Sequence, residues 1–387
     1  MANYFNNLKD NYFFSDKLTH LYLDGEITNT VIDKLIEDIR NANKETTPKP
    51  ILIHISSVGG SLQDGMRLMS IYNISKLPIA TIIDNYSFSI STLLSINSSY
   101  RLMTKNGFCL LHEYRIQGYI NNERQHIFNY MEKLDTYFKI IIDMYVKKTS
   151  FTKSELTELL KHNLILNYKT CLEKGIVDRI VDCNYNKKTA KLNIINLIQD
   201  SSVHNIHLSC SSTINALDKQ ILEINTANKK PCLIYITHFN CDNDKDDKKE
   251  KPQTNESEEI YAKKSMINIF KPLALVSRIK SIQTNKYGII DVPISIENII
   301  PLLYTDKIYM YSHAFIICNL LYAFNNYSLL LNDNIKNTNL IINTIKSILK
   351  SKTKMTQTDI ENINEKFVIL DAKRAKELGL CHEIIHN

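Results

Sequence analysis

The chain has 387 residues, 44% of them hydrophobic and 23% charged, which excludes wholesale disorder and leaves room for two or three domains. Its 47 Lys and Arg against 41 Asp and Glu give a net charge of +6 without a long basic block, so no nucleic-acid partner is expected. The longest apolar run, "AFIICNLLYAF", is too short for a bilayer span, and the start "MANYFNNLKDNYFF" lacks a basic-then-apolar leader pattern, so no membrane association and a cytoplasmic location are expected.

In chain order, residues 32–55, "IDKLIEDIRNANKETTPKPILIHI", predict an amphipathic helix ending at "ANK" and then a strand rich in Ile and Leu. The strand runs into "SSVGGSL", where Gly59 and Gly60 permit a tight turn that exposes backbone N–H groups. Residues 80–83, "ATII", predict a second strand, and "STLLSIN" the first turns of an apolar helix. Ser89 sits in the seam between them. Read structurally it is a helix N-cap; read chemically it is a nucleophile beside the glycine turn, with the amides of Gly60 and Ile90 placed to hold an oxyanion. "NGFCLLHEY" (106–114) predicts a strand ending at His112, which is either a satisfied core histidine or the base that a serine needs near neutral pH.

The eight cysteines, at 109, 171, 183, 210, 232, 241, 318 and 381, form no CxxC pair, so buried thiols in a reducing compartment are expected, with no metal site and no cofactor. The chain also repeats itself. Residues 217–236, "LDKQILEINTANKKPCLIYI", follow the pattern of 32–55, and "NLILNYKTCLEKGIVDRIV" (163–181) pairs without a gap with "FVILDAKRAKELGLCHEII" (367–385), setting Gly175 over Gly379. The expected organisation is therefore a domain over 1–185 that carries the Ser/His pair, a linker over 186–204, and a related domain over 205–387. The charged stretch 241–259, "CDNDKDDKKEKPQTNESEE", is expected to be a disordered loop. Alternating strands and helices argue an α/β fold.

Strand, "S-x-G-G", strand, "S-F-S-I", helix, Arg101, strand, His112 and a closing "GIVD" together resemble the proteolytic subunit of the Clp protease, in the Clp/crotonase superfamily, over about residues 15–183. The resemblance implies two tandem ClpP/crotonase-like domains (a ββα superhelix) and a serine endopeptidase that hydrolyses peptide bonds through an acyl-enzyme. It sets Ser89 on the nucleophile, His112 on the base and Gly60 with Ile90 on the oxyanion-hole amides. It also implies peptide or unfolded-protein substrates, a homo- or hetero-oligomeric ring and a Clp-type ATPase partner. "RIQGYI" and the long helical stretch after it match the handle strand and handle helix. Counted back from "GIVD", the orienting aspartate is replaced by Asn163, which can align an imidazole but carries no charge. Val58 stands for the usual proline, and Asn85, Ser87 and Phe88 for smaller residues. The second copy loses the set. "HFNC" replaces the glycine pair, Ser295 or Ile296 falls at the nucleophile, Cys318 falls at His112 by an unbroken count, and Phe367 falls at Asn163. A catalytically weak or inactive structural subunit is the alternative reading.

Overall fold

The computed structural model describes residues 3–113, 124–182, 198–200, 203–208, 214–226, 230–236, 270, 272–318, 320 and 331–386. The expected handle strand, most of the 186–204 linker and the whole 241–259 loop lie outside these residues. The chain divides into two compact units, one of residues 1–13 and 17–181, the other of 14–16 and 182–387.

The first unit opens with a single turn α1 (Asn3–Asn6) and then strand β1 (Thr19–Ile27). Helix α2 (Asn29–Ala42) follows, its first turn capped by the Thr28 hydroxyl. Its buried residues, Ile32, Leu35, Ile36, Ile39 and Ala42, recur at helical spacing and form one apolar stripe. Burying an aliphatic side chain of this size contributes about 1.5–3 kcal/mol. There follow β2 (Ile51–Gly60), α3 (Leu62–Ile74), β3 (Ile79–Phe88), α4 (Ile90–Ile96), β4 (Tyr100–Thr104) and β5 (Phe108–Leu110). The unit is completed by α5 (Arg124–Lys148), α6 (Lys153–Leu160), β6 (Ile165–Asn167), α7 (Tyr168–Glu173) and β7 (Arg179–Val181).

Strands β1-β2-β3-β4-β7 form a parallel sheet, as strand–helix alternation requires. Beyond its pairing with β4, β3 continues and pairs with β5, which in turn pairs antiparallel with β6. The main core lies on one face, where Leu21, Leu23, Ile53, Ile55 and Ile83 meet the helices. The opposite face carries a polar chain that the sequence reading did not anticipate. His20 Nδ1 lies 2.8 Å from His54 Nε2, and His54 Nδ1 lies 2.7 Å from Asp84 Oδ2. His54 and Asp84 are 2% and 0% exposed, and Tyr22 stacks on the His54 ring. Arg101 ties the closing segment down. Its backbone N–H and Nε donate to Asp178, and one terminal nitrogen donates to the Lys148 and Gly175 carbonyls at 2.7 Å each.

The second unit contains β8 (His204–Leu208), α8 (Ile214–Thr226), β9 (Cys232–Ile236), a helix α9 over 272–281, β10 (Lys286–Ile290) and β11 (Ile294–Ser295). Then come β12 (Lys307–Tyr311), β13 (Phe315–Cys318), α10 (Leu331–Lys352), α11 (Gln357–Glu365), β14 (Val368–Asp371), α12 (Ala372–Glu377) and β15 (Glu383–Ile385). Its parallel sheet runs β8-β9-β10-β12-β15, and a small sheet runs β11-β13-β14, with β14 antiparallel to β13. Both units are α/β, as the sequence predicts. Among the described residues, no helix is long and apolar enough to cross a membrane.

Candidate active site

The end of β2, the end of β3 and the end of β5 meet at one edge of the first unit. On β2, Gly59 has φ +89 and Gly60 φ +143, conformations that L side chains rarely adopt. A Cβ on Gly59 would stand 2.7 Å from both the Phe88 carbonyl oxygen and Ser89 Cβ, and 3.4 Å from Ser89 Oγ. A Cβ on Gly60 would collide with the Ile27 carbonyl oxygen of β1. The glycine pair therefore lets the β2 backbone lie against Ser89 on one side and β1 on the other.

Ser89 joins β3 to α4 with φ 57 and ψ −130, and among the described residues it is the only non-glycine with positive φ. Those torsions suit glycine at the first central position of a type II′ turn. A residue held in such a region costs about 1–3 kcal/mol, and it persists only where its surroundings enforce it. The N-cap reading of Ser89 does not hold, because its side chain makes no capping hydrogen bond. Its backbone N–H donates to the Leu110 carbonyl of β5 at 2.8 Å. Ile90 opens the helix directly after it, and its side chain fills the space over Gly65, where a Cβ would stand 2.5 Å from Ile90 Cγ1.

His112 follows the end of β5 and is half-buried. Parallel pairing sets Phe88 beside Leu110, so Ser89 and the residues just past Leu110 emerge from neighbouring strand ends. Antiparallel pairing sets Leu110 opposite Ile165 and ends there, two residues short of His112 and Asn163. His112 Nδ1 lies within hydrogen-bond reach of the Glu113 carbonyl oxygen. With the proton on Nδ1, that contact leaves Nε2 with its lone pair. The Glu113 backbone N–H donates to the Leu160 carbonyl at 2.9 Å, which pins this strand end to the end of α6. The structure thus sets Gly59 against Ser89, with Ile90 directly after it, and β5, paired with the end of β3, leads to His112.

The sequence reading missed a bed of buried hydroxyls beneath the serine. Ser57, Ser87, Ser91 and Thr92 are each 0% exposed. The visible clue was the density of hydroxyl residues in "NYSFSIST", which is unusual for a strand–helix junction that is otherwise apolar. Among the described residues no group of His, Cys, Asp and Glu is arranged to hold a metal ion.

A parallel α/β sheet with a serine on a tight strand-to-helix turn, a glycine pair against it and a histidine at the adjacent strand end defines a class of serine-hydrolase-like domains. Residues 7–184 match the Clp protease family, and the first unit is a ClpP-like domain. The chain is similar to the ATP-dependent Clp protease proteolytic subunit of Bigelowiella natans, at 24% identity over 172 residues, which is 43% of this chain and 85% of that protein. It is also similar to the ATP-dependent Clp protease proteolytic subunit 1 of Protochlamydia amoebophila, at 20% over 177 residues (43% of this chain, 86% of that protein). The subunit of the same name in Chlamydia muridarum is 22% identical over 139 residues, 35% of this chain and 72% of that protein.

Proposed function

We propose that the first unit is a serine endopeptidase domain of the Clp type, with Ser89 as nucleophile, His112 as general base, Asn163 as its orienting partner, and the amides of Gly60 and Ile90 as the oxyanion hole. The observation that carries the reading is the Ser89 turn: a positive-φ serine pressed against Gly59, with its hydroxyl unused by the helix it begins. A hydroxyl needed only as a cap would be bonded to the first turn of α4.

In the reaction, Ser89 Oγ attacks the peptide carbonyl carbon while its proton passes to His112 Nε2. The carbonyl electron pair moves onto oxygen, where the two amides stabilise it. Collapse of this intermediate breaks the C–N bond. His112 gives its proton to the departing amine, and the acyl group remains on Ser89 as an ester. Water then attacks that ester, losing a proton to the same imidazole, and the carboxylic acid product leaves with the Ser89 hydroxyl restored. No cofactor enters these steps.

Asparagine at 163 lowers the expected rate. An uncharged partner leaves the imidazolium without its counter-charge, and an aspartate-to-asparagine change in a Ser-His-Asp triad on an unrelated fold costs about 10⁴-fold. The second reading, a weak or inactive structural subunit, draws on this residue and on Phe88, a bulky side chain directly before the serine. Peptide or unfolded-protein substrates, a ring assembly, a Clp-type ATPase partner and a cytoplasmic location belong to the proposal through the family resemblance.

The proposal extends to the second unit as a degenerate tandem copy. Its strand order β8-β9-β10-β12-β15 parallels β1-β2-β3-β4-β7 in the first. Ser295 pairs with Ile317 as Phe88 pairs with Leu110, which sets Ile296 at the level of Ser89. Ile317 pairs with Ile369 as Leu110 pairs with Ile165, so Cys318 stands at the level of Leu111 and not, as the linear count has it, of His112. The Ser295 hydroxyl accepts a hydrogen bond from Asn298 at 2.8 Å.

The test is labelling of the full chain with a serine-reactive fluorophosphonate, with Ser89→Ala, His112→Ala and Asn163→Asp alongside. The peptidase reading expects labelling at Ser89, loss in the first two variants and faster labelling in the third. An unlabelled parent together with an unlabelled Asn163→Asp variant selects the structural reading.

A further inference from the structure

We propose that Ser91 and Thr92 are positioning residues that set the Ser89 turn by holding the two carbonyl groups preceding it; the proposal rests on the reading of Ser89 as the nucleophile. A positive-φ serine needs the peptide planes leading into it fixed, because those planes decide where the hydroxyl points. Both planes are held from the helix that follows. Thr92 Oγ1 donates to the Ser87 carbonyl at 2.7 Å, and Ser91 Oγ donates to the Phe88 carbonyl at 2.7 Å.

The hydroxyls form a directed chain. Ser91 has one proton, and the Phe88 carbonyl at 2.7 Å is a closer acceptor than the Ser57 carbonyl at 3.2 Å. The Ser87 hydroxyl, 3.0 Å from Ser91 Oγ, then donates into the oxygen it leaves open. Ser57 Oγ accepts the Gly59 backbone N–H at 3.2 Å, so the same bed also reaches the glycine turn. The Phe88 carbonyl that Ser91 holds is the group that would meet a Cβ on Gly59 at 2.7 Å. Ser91 thus ties α4 to β3 at the one place where the glycine turn, the carbonyl and the serine converge. Satisfying a buried hydroxyl requires only one partner anywhere nearby. Here two successive helix residues both reach back to the two successive carbonyls ahead of Ser89, as a positioning role requires.

The experiment uses the full chain and compares Ser91→Ala, Thr92→Val and Thr92→Ser with the parent. Two readouts are taken: the fluorophosphonate labelling rate at Ser89 and amide hydrogen exchange across residues 85–93. Small displacements of a reacting group cost up to about 100-fold in rate, so Ser91→Ala and Thr92→Val are expected to slow labelling by about 10- to 100-fold. Thr92→Ser, which keeps the hydroxyl, is expected to retain the parent rate. Exchange at the Ser89 amide is expected to quicken in the first two variants and not in the third. Parent-like labelling and exchange in both Ser91→Ala and Thr92→Val overturns the proposal. If the parent does not label, the peptidase reading fails separately, and the turn-setting role is decided by exchange: unchanged protection of the Ser89 amide overturns it.

Discussion

Gly59→Ala separates the two reasons for a glycine beside Ser89. Gly25 and Gly59 have similar φ angles, +81 and +89, but a Cβ on Gly25 meets nothing within 4 Å, whereas one on Gly59 meets the Phe88 carbonyl and Ser89 Cβ at 2.7 Å. Gly25→Ala therefore carries the torsional cost alone, about 1–2 kcal/mol. Gly59→Ala adds displacement of backbone in a packed site, about 1–3 kcal/mol further. Urea unfolding of the full chain, followed by hydrogen exchange at residues 51–60, reads the first unit's own transition. Gly59→Ala is expected to unfold at lower urea than Gly25→Ala by that increment. It is also expected to lose fluorophosphonate labelling under conditions where it remains folded, because Ser89 must move to admit the methyl group. Equal losses of stability in the two variants, with labelling preserved in both, would refute the claim that β2 and Ser89 are in forced contact.

Glu155 closes a capping box with Thr152 at the start of α6, and its carboxylate is lowered from 4.5 to about 2 by the Thr152 backbone N–H, Lys174 and the Thr152 hydroxyl, in that order. A depressed carboxylate stabilises the fold above its ordinary range and loses that contribution as pH falls from about 4.5 through about 2. An NMR titration should place the Glu155 midpoint near 2, and Lys174→Met should raise it. Cys109, Cys171, Cys232, Cys318 and Cys381 are buried, and burial pushes Cys232 and Cys318 up to about 12 and Cys381 to about 11. Mass-spectrometric mapping after brief iodoacetamide treatment of the native chain at pH 7.5 (about one unit below an ordinary thiol's pKa) should find these five unmodified. Arg101→Ala strips the donors from Asp178 and from the carbonyls of Lys148 and Gly175. Hydrogen bonds to charged groups contribute about 1.5–3 kcal/mol, so a loss of at least about 2 kcal/mol is expected in urea unfolding.

Much of this was legible because it is written in local pattern. The stripe Ile32, Leu35, Ile36, Ile39 reads directly as the buried face of α2, and the glycine pair at 59–60 reads as a close approach. The α/β alternation and the family resemblance follow from order along the chain. The Ser89 turn was less legible, since a serine ahead of an apolar helix carries the same letters whether it caps the helix or departs from it. Only the torsion at Ser89 and the empty cap tell the two apart. The hydroxyl bed was visible as composition but not as a network, because its bonds run from helix residues back onto carbonyls, and carbonyls have no sequence signature. The His20–His54–Asp84 chain was hidden for a different reason. Each member belongs to a separate strand, and only sheet register brings them together.

That chain has a bearing on how the sheet finds its alignment. Parallel strands rich in aliphatic residues such as 51–55 and 79–83 offer several nearly equivalent ways to lie side by side, since one aliphatic neighbour substitutes for another. Sliding β3 past β2 by a residue would turn the Asp84 carboxylate to the other side of the sheet, among the aliphatic side chains of the helix-facing core, away from the imidazole that now meets it. Stranding a charge there costs several kcal/mol, far more than any aliphatic mismatch. One acid and two imidazoles thus act as a keyed joint: they add little to the strength of the assembled sheet but make its neighbours in alignment space expensive, and so hold the far end of β3 in step with β2.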